Sequence, residues 1–220
     1  MYLSSHPLDG YRPAMDALTT ATVREFDETE KALRDGVVPK KTVYVVAGLV
    51  TETEFRTSKN GNPYLRFTLE DFSGSHAFAL FGRDYESMAP MVTAGGAFLL
   101  RADVAHRRSR DGETDELELR TRRVMPLADA RDELIREVRI SYPLDSSDRG
   151  LRDRIKAAVE RNPGNARLVF DVLFSHDGKD DSVRGTSVKY NVMPTVDLVT
   201  AFLEEGLRVR YAVADMLKTQ

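Results

Sequence analysis

The chain contains no cysteine, which excludes disulfide scaffolds, thiolate zinc sites and cysteine nucleophiles while permitting a reducing compartment. Histidine is scarce as well. His6, His76, His106 and His176 stand too far apart for a metal pair on one helix, and no HExxH, HxE or GxSxG arrangement occurs. Each is expected to be a surface or loop histidine. Neither sign of charge dominates: 32 Lys plus Arg face 35 Asp plus Glu, a net charge of -3. That balance excludes a globally basic nucleic-acid protein and confines any such site to a local patch. The longest near-continuous apolar run, Val43 to Val50, falls far short of the ~18 residues a membrane span requires. No basic-then-apolar signal opens the chain. The expectation is a soluble, cytoplasmic protein without a membrane partner. Gly95-Gly96 is not followed by Lys-Ser or Lys-Thr, so no phosphate-cradling loop is present. The pairs Asp180-Asp181 and Glu204-Glu205 read as solvated charge rather than a two-metal site. No catalytic residue, metal or cofactor is expected.

What remains is a chain of 220 residues, 41% hydrophobic, long enough to bury a core in one or two small domains. Three segments emerge. Residues 1–40 hold His6-Pro7, Arg12-Pro13, and a stretch from Thr19 to Arg34 in which Val23, Phe26 and Leu33 are spaced among charges; they read as a lead-in. Residues 41–127 read as strands. Thr42 to Val50 is rich in Val and Tyr, with Gly48 suggesting a bulge or bend. Thr53 to Ser58 leads into Lys59-Asn60-Gly61-Asn62-Pro63, an Asn-Gly hairpin signal. From Tyr64 to Glu70 the period-two pattern turns Leu65, Phe67 and Leu69 inward and Tyr64, Arg66 and Thr68 outward. Ser75 to Phe81 follows with Phe78 and Leu80 inward. A helix from Arg83 to Met91, a strand from Ala97 to Arg107 and another from Leu117 to Met125 complete the segment. Three strands, a helix and two strands are the order of a five-stranded OB barrel. Residues 128–220 continue with a connector helix, Ala128 to Glu137, and then strand Val138 to Pro143, helix Arg149 to Arg161, strand Arg167 to Ser175, strand Val183 to Met193, helix Thr195 to Glu205 and strand Leu207 to Val213. This β-α-β-β-α-β order predicts the split βαβ arrangement, a small two-layer α+β sandwich.

An OB barrel takes up nucleic acid across its second and third strands and the loops between strands one and two and strands four and five. Here those places carry Arg56, Lys59, Tyr64 and Arg66, and then Arg101, Arg107, Arg108 and Arg110. Cations pair with phosphates, and an aromatic ring gives a base a stacking surface. The same residues also describe an ordinary solvated barrel face, because Asp111, Glu113, Asp115 and Glu116 dilute the second loop. Segment 41–127 balances twelve cations against twelve acids, which also suits a protein-interaction module.

The run Tyr2-Leu3-Ser4-Ser5-His6-Pro7-Leu8, then Val46-Ala47-Gly48-Leu49-Val50, Thr57-Ser58-Lys59-Asn60-Gly61-Asn62, Thr68-Leu69-Glu70-Asp71-Phe72-Ser73-Gly74-Ser75 and Leu80-Phe81 resembles, in order, the C-terminal region of the bacterial DNA polymerase III alpha subunit. Beyond Val138 the likeness is looser, through Gly150-Leu151-Arg152-Asp153 and Asn162-Pro163-Gly164. Ser5 departs from the family's usual glycine. The resemblance implies a DNA-directed DNA polymerase family, yet the segments that polymerise precede the Tyr-Leu-Ser run in that family. This chain starts there, so a fragment or split gene product without activity of its own is expected. By the same resemblance the barrel would hold single-stranded template DNA, and residues 128–220 would contact the clamp-loader tau subunit and work with the remainder of the alpha subunit. A free-standing OB protein that binds single strands or tRNA is the alternative.

Overall fold

The computed structural model describes residues 6–108, 115–144, 148, 150–176 and 179–214. Of the residues named above, Tyr2 to Ser5, Arg110, Asp111, Glu113 and Arg149 lie outside the described residues, as do the side chains of Arg108, Asp115, His176 and Asp180. The described chain divides into two compact units. One takes residues 6–8 and 19–129; the other takes 9–18 and 130–214. The stretch 1–40, read as a lead-in, therefore supplies α1 (Arg12–Leu18) to the second unit and α2 (Val23–Arg34) to the first.

In the first unit, β1 (Val43–Thr57), β2 (Pro63–Glu70) and β3 (Ser75–Phe81) precede α3 (Gly82–Met88), and β4 (Ala97–Arg108) and β5 (Asp115–Pro126) follow it. The sheet order is β3-β2-β1-β4-β5, antiparallel throughout. β1 serves both halves: Val43 to Leu49 pair with β4, and Leu49 to Thr57 pair with β2. A strand shared in this way, with a helix between the third and fourth strands, makes the sheet an OB barrel. The bulge expected at Gly48 falls two positions later, between Val50 and Glu52. Gly48 serves a different need, because a Cβ there would sit 2.5 Å from the Glu70 carbonyl oxygen where β1 passes from one partner to the other.

The alternation in β2 and β3 is as the sequence predicts. Leu65, Phe67, Leu69, Phe78 and Leu80 are all buried in one apolar cluster with Val46, Val50 and Leu100. The α2 helix covers this cluster and packs against β1, β3 and β5. Thr22 and Glu25 close its first turn reciprocally, the Thr22 hydroxyl accepting from the Glu25 amide and the Glu25 carboxylate accepting from the Thr22 amide. The β2–β3 turn adds to that cap: Asp71 Oδ2 accepts from the Val23 amide at 2.9 Å and Ser73 Oγ from the Arg24 amide at 3.1 Å. From the helix, Phe26 reaches Phe78 at 5.0 Å between ring centroids. Helix α3 ends at Met88, and a separate 3-10 turn carries Ala89–Met91; Met91 is exposed while Met88 is buried.

After α4 (Leu127–Leu134), the second unit runs β6 (Ile135–Pro143), α5 (Leu151–Arg161), β7 (Pro163–His176), β8 (Lys179–Val192), α6 (Val196–Glu204) and β9 (Val209–Val213). Its sheet order is β8-β7-β6-β9. The β-α-β-β-α-β order is as expected, but the βαβ is not split, because β6 and β7 are direct parallel neighbours. Burial explains the choice. Ala166, Leu168 and Val169 of β7 are buried, whereas Val183 and Val188 of β8 are exposed, so the apolar strand takes the central place and the polar one the edge. Leu151, Ile155 and Val159 of α5, with Leu198 and Phe202 of α6, are buried together with Val138 and Ile140 of β6. On alternate β6 positions, Glu137 and Arg139 form ion pairs instead, with Arg167 joining from β7.

A candidate nucleic-acid interface

Because Leu65, Phe67 and Leu69 face the core, Tyr64, Arg66 and Thr68 face away from it, and the pairing sets Arg56 of β1 and Phe81 of β3 directly beside Tyr64. The Tyr64 and Phe81 rings stack at 4.8 Å between centroids with 22° between their planes. Phe81 is 55% exposed. A stacked aromatic pair displayed outward from a sheet is a large apolar surface kept in water, of a shape that accepts a base. Phe81 was missed as a site residue, although the rule that turns Phe78 and Leu80 inward turns Phe81 outward.

The cations of this face differ in availability. Arg56 Nε lies 2.6 Å from Glu54 Oε1. The Glu54 carboxylate first, and the Tyr64 hydroxyl second, hold the Arg56 guanidinium above its ordinary pKa. Arg66 lies opposite Glu54 in register and makes no ion pair among the described residues. Lys59 is exposed at the tip of the β1–β2 connection. There the Ser58 amide donates to the Asn62 carbonyl at 2.8 Å and Gly61 takes a positive φ of 81°, which closes the hairpin that Asn-Gly signals.

The other expected residues are placed elsewhere. Arg101 pairs in register with Val45 and Arg123, and its guanidinium lies 3.2 Å from Asp103, which also accepts from Arg122 at 3.2 Å. Arg107 lies 3.7 Å from Glu118 and borders a cavity of about 610 Å3 shared with Glu30, Arg34 and Glu116. Neither shares a register row with Tyr64, Arg66 or Phe81. Arg108 lies opposite Asp115 in the β4–β5 register, and Arg110 lies outside the described residues.

Two expectations about charged residues are corrected. His76 is not a surface histidine. It points inward from β3, 9% exposed, with Nδ1 2.9 Å from Asp27 Oδ1 and its ring 4.6 Å from Phe78. It occupies a core position of the alternation, and α2 supplies the carboxylate that makes burial tolerable. Lys31 and then His76 hold the Asp27 carboxyl below its usual range. Glu205 is not merely solvated: it accepts from Arg154 Nε at 2.5 Å and from its NH2 group at 2.6 Å. Among the described residues no cluster of His, Asp and Glu is arranged to hold a metal, and no helix is long and apolar enough to cross a membrane.

No protein-family model matches the chain. The DNA polymerase III alpha subunit of Thermus aquaticus is 26% identical over 174 residues, covering 79% of this chain and 13% of that protein. That of Haemophilus influenzae is 24% identical over 200 residues, covering 91% and 16%, and that of Pseudomonas aeruginosa 24% over 205 residues, covering 93% and 16%. The chain is similar to the DNA polymerase III alpha subunits. It matches these alpha subunits along most of its own length, yet spans only 13% to 16% of theirs. Among solved structures, the S. cerevisiae mitochondrial single-stranded DNA-binding protein Rim1 is 20% identical with a TM-score of 0.28, covering 39% of this chain and 95% of that one. A small single-stranded DNA-binding protein from Streptomyces coelicolor is 16% identical with a TM-score of 0.26, covering 40% and 95%.

Proposed function

We propose that the chain is a non-catalytic, cytoplasmic component of DNA replication whose barrel binds single-stranded DNA across β2 and β3. The stacked pair of half-buried Tyr64 and exposed Phe81 carries this reading, because a base laid on it gains stacking energy of roughly 1 to 3 kcal/mol without any sequence-specific contact. Arg66 and Lys59 supply the phosphate contacts, and Arg56, shared with Glu54, supplies a weaker one. The relatives named above support a place in replication beside the remainder of an alpha subunit. In the same reading the second unit docks to the clamp-loader tau subunit; its support is the likeness that continues past the barrel.

Fluorescence anisotropy of labelled oligo(dT) with the intact chain, beside duplex DNA and tRNA, tests the barrel. Preference for the single strand that weakens as salt rises is the expected result. No binding at low salt overturns strand handling, and a preference for tRNA replaces it with a free-standing RNA-binding OB protein. Gel filtration of the intact chain with the tau subunit tests docking, with co-elution expected.

A further inference from the structure

The second unit contains a cavity of about 510 Å3 between α5 and the strands β6, β7 and β8. Its walls are apolar where α5 meets β7: Ile155 and Val159 from the helix, Leu168 and Phe170 from the strand. Its ionisable lining is entirely basic apart from two tyrosines. Arg152 and Lys156 stand on α5 and Lys189 on β8, with Tyr142 and Tyr190 beside them.

Little nearby neutralises these cations. Arg152 makes no ion pair among the described residues. Lys156 approaches Glu160 only at 3.9 Å, and that carboxylate already accepts from the Tyr190 hydroxyl at 2.7 Å. Lys189 lies 4.9 Å from the centroid of the Tyr190 ring. In a chain of net charge -3, this rim has the opposite sign to the whole molecule.

We propose that this cavity binds a segment of a partner protein in which a bulky apolar side chain is flanked by carboxylates. The volume falls in the range of formed ligand sites, roughly 300 to 1,000 Å3, and admits a large side chain with its neighbours. The walls decide against a nucleotide. Ile155, Val159, Leu168 and Phe170 offer no side-chain donor or acceptor, so the polar edges of a base would lose water and gain nothing in return. A Leu or Phe side chain loses nothing there. Acidic neighbours of that side chain meet Arg152, Lys156 and Lys189 at the rim, where tyrosine and arginine are the residues that most often anchor an interface. The inference rests on the reading of the second unit as a protein-docking unit and is independent of the barrel.

The test is to pan a random peptide library on the intact chain, counter-selecting on the Lys156→Glu/Lys189→Glu variant, and then to measure anisotropy of the enriched, labelled peptide. The expected peptides join Leu, Phe or Trp to Asp or Glu. Their affinity should fall by roughly tenfold or more in the rim variant, since each new glutamate repels the ligand, and should be unchanged in Tyr64→Ala. Absence of any enriched peptide, enrichment of basic peptides, undiminished binding to the rim variant, or displacement by ATP overturns the proposal. The two readings fail separately. If the docking partner proposed above co-elutes equally with the rim variant, docking stands and the cavity is the wrong place. If that partner does not co-elute while acidic peptides still bind, the cavity stands and the partner falls.

Discussion

Tyr64 and Phe81 are next to each other only because β2 and β3 pair in register, and neither contributes to the buried cluster beneath them. Removing either ring therefore separates binding from folding. Tyr64→Ala and Phe81→Ala are each expected to weaken oligo(dT) binding by roughly 1 to 3 kcal/mol, read by anisotropy, with the melting temperature unchanged. Arg66→Ala should weaken binding to all single strands alike and lower the salt slope by about one phosphate contact. Tyr64 and Arg66 were legible in the sequence because a period of two assigns each residue of a strand to a face. The same rule sets Glu54 beside Arg56 and Asp103 beside Arg101, each acid two residues from its arginine on one strand, so a reading that follows the arginines alone overlooks the acids that partner them. His76 was misjudged for a related reason: its neighbours in sequence are small or polar, and the carboxylate that makes its burial tolerable, Asp27, lies 49 residues away.

Among the elements, β2 supplies Leu65, Phe67 and Leu69 to the barrel's core. Phe67 is 1% exposed and stacks on Phe78 at 5.4 Å. Phe67→Ala should cost roughly 3 to 5 kcal/mol through the cavity left behind, measured by denaturant unfolding; an unaltered unfolding midpoint would contradict its core position. Helix α2 was the element least visible beforehand. Val23, Phe26 and Leu33 are the three residues it buries, yet one apolar residue per turn, with a whole turn skipped, makes too thin a stripe to announce a helix among so many charges. The better signal was Thr22 with Glu25 three residues later. Thr22→Ala should destabilise the barrel by roughly 0.5 to 2 kcal/mol, seen as a lowered melting temperature. Element order was readable along the second unit as well. Strand order was not, because the choice between β7 and β8 as the neighbour of β6 depends on which strand has the apolar surface to occupy a central place, and their lengths and turn are alike in either case.

For the molecule as a whole, carboxylates in both units are held below their ordinary values by cations: Asp27 by Lys31 and then His76, Glu137 by Arg139, Asp148 and Glu205 by Arg154, and Asp171 by Arg184. Each binds a proton less readily folded than unfolded. The stability they add is complete above their ordinary values, 3.8 for Asp and 4.5 for Glu, and is lost as pH falls through the lowered folded values. Melting temperature should accordingly hold steady down to about pH 5 and fall below about pH 4. Glu137→Gln should reduce that fall. A melting temperature that rises on acidification would contradict the sign.

The chain also crosses between its units, since α1 packs with β6, β9 and α6 while the whole barrel lies between them in sequence. During synthesis the partners of α1 emerge after the barrel. At about 5 to 20 residues per second, the interval from Leu18 to Val213 lasts roughly ten seconds or more. Once Pro126 has been added the barrel has all its strands and can close, whereas Leu18, 1% exposed once folded, still has nowhere to go. Helix α1 is thus made before the barrel and housed only after it. A nascent chain halted just past β5 would present a finished barrel with the apolar face of α1, Ala14, Met15 and Leu18, still without its partners.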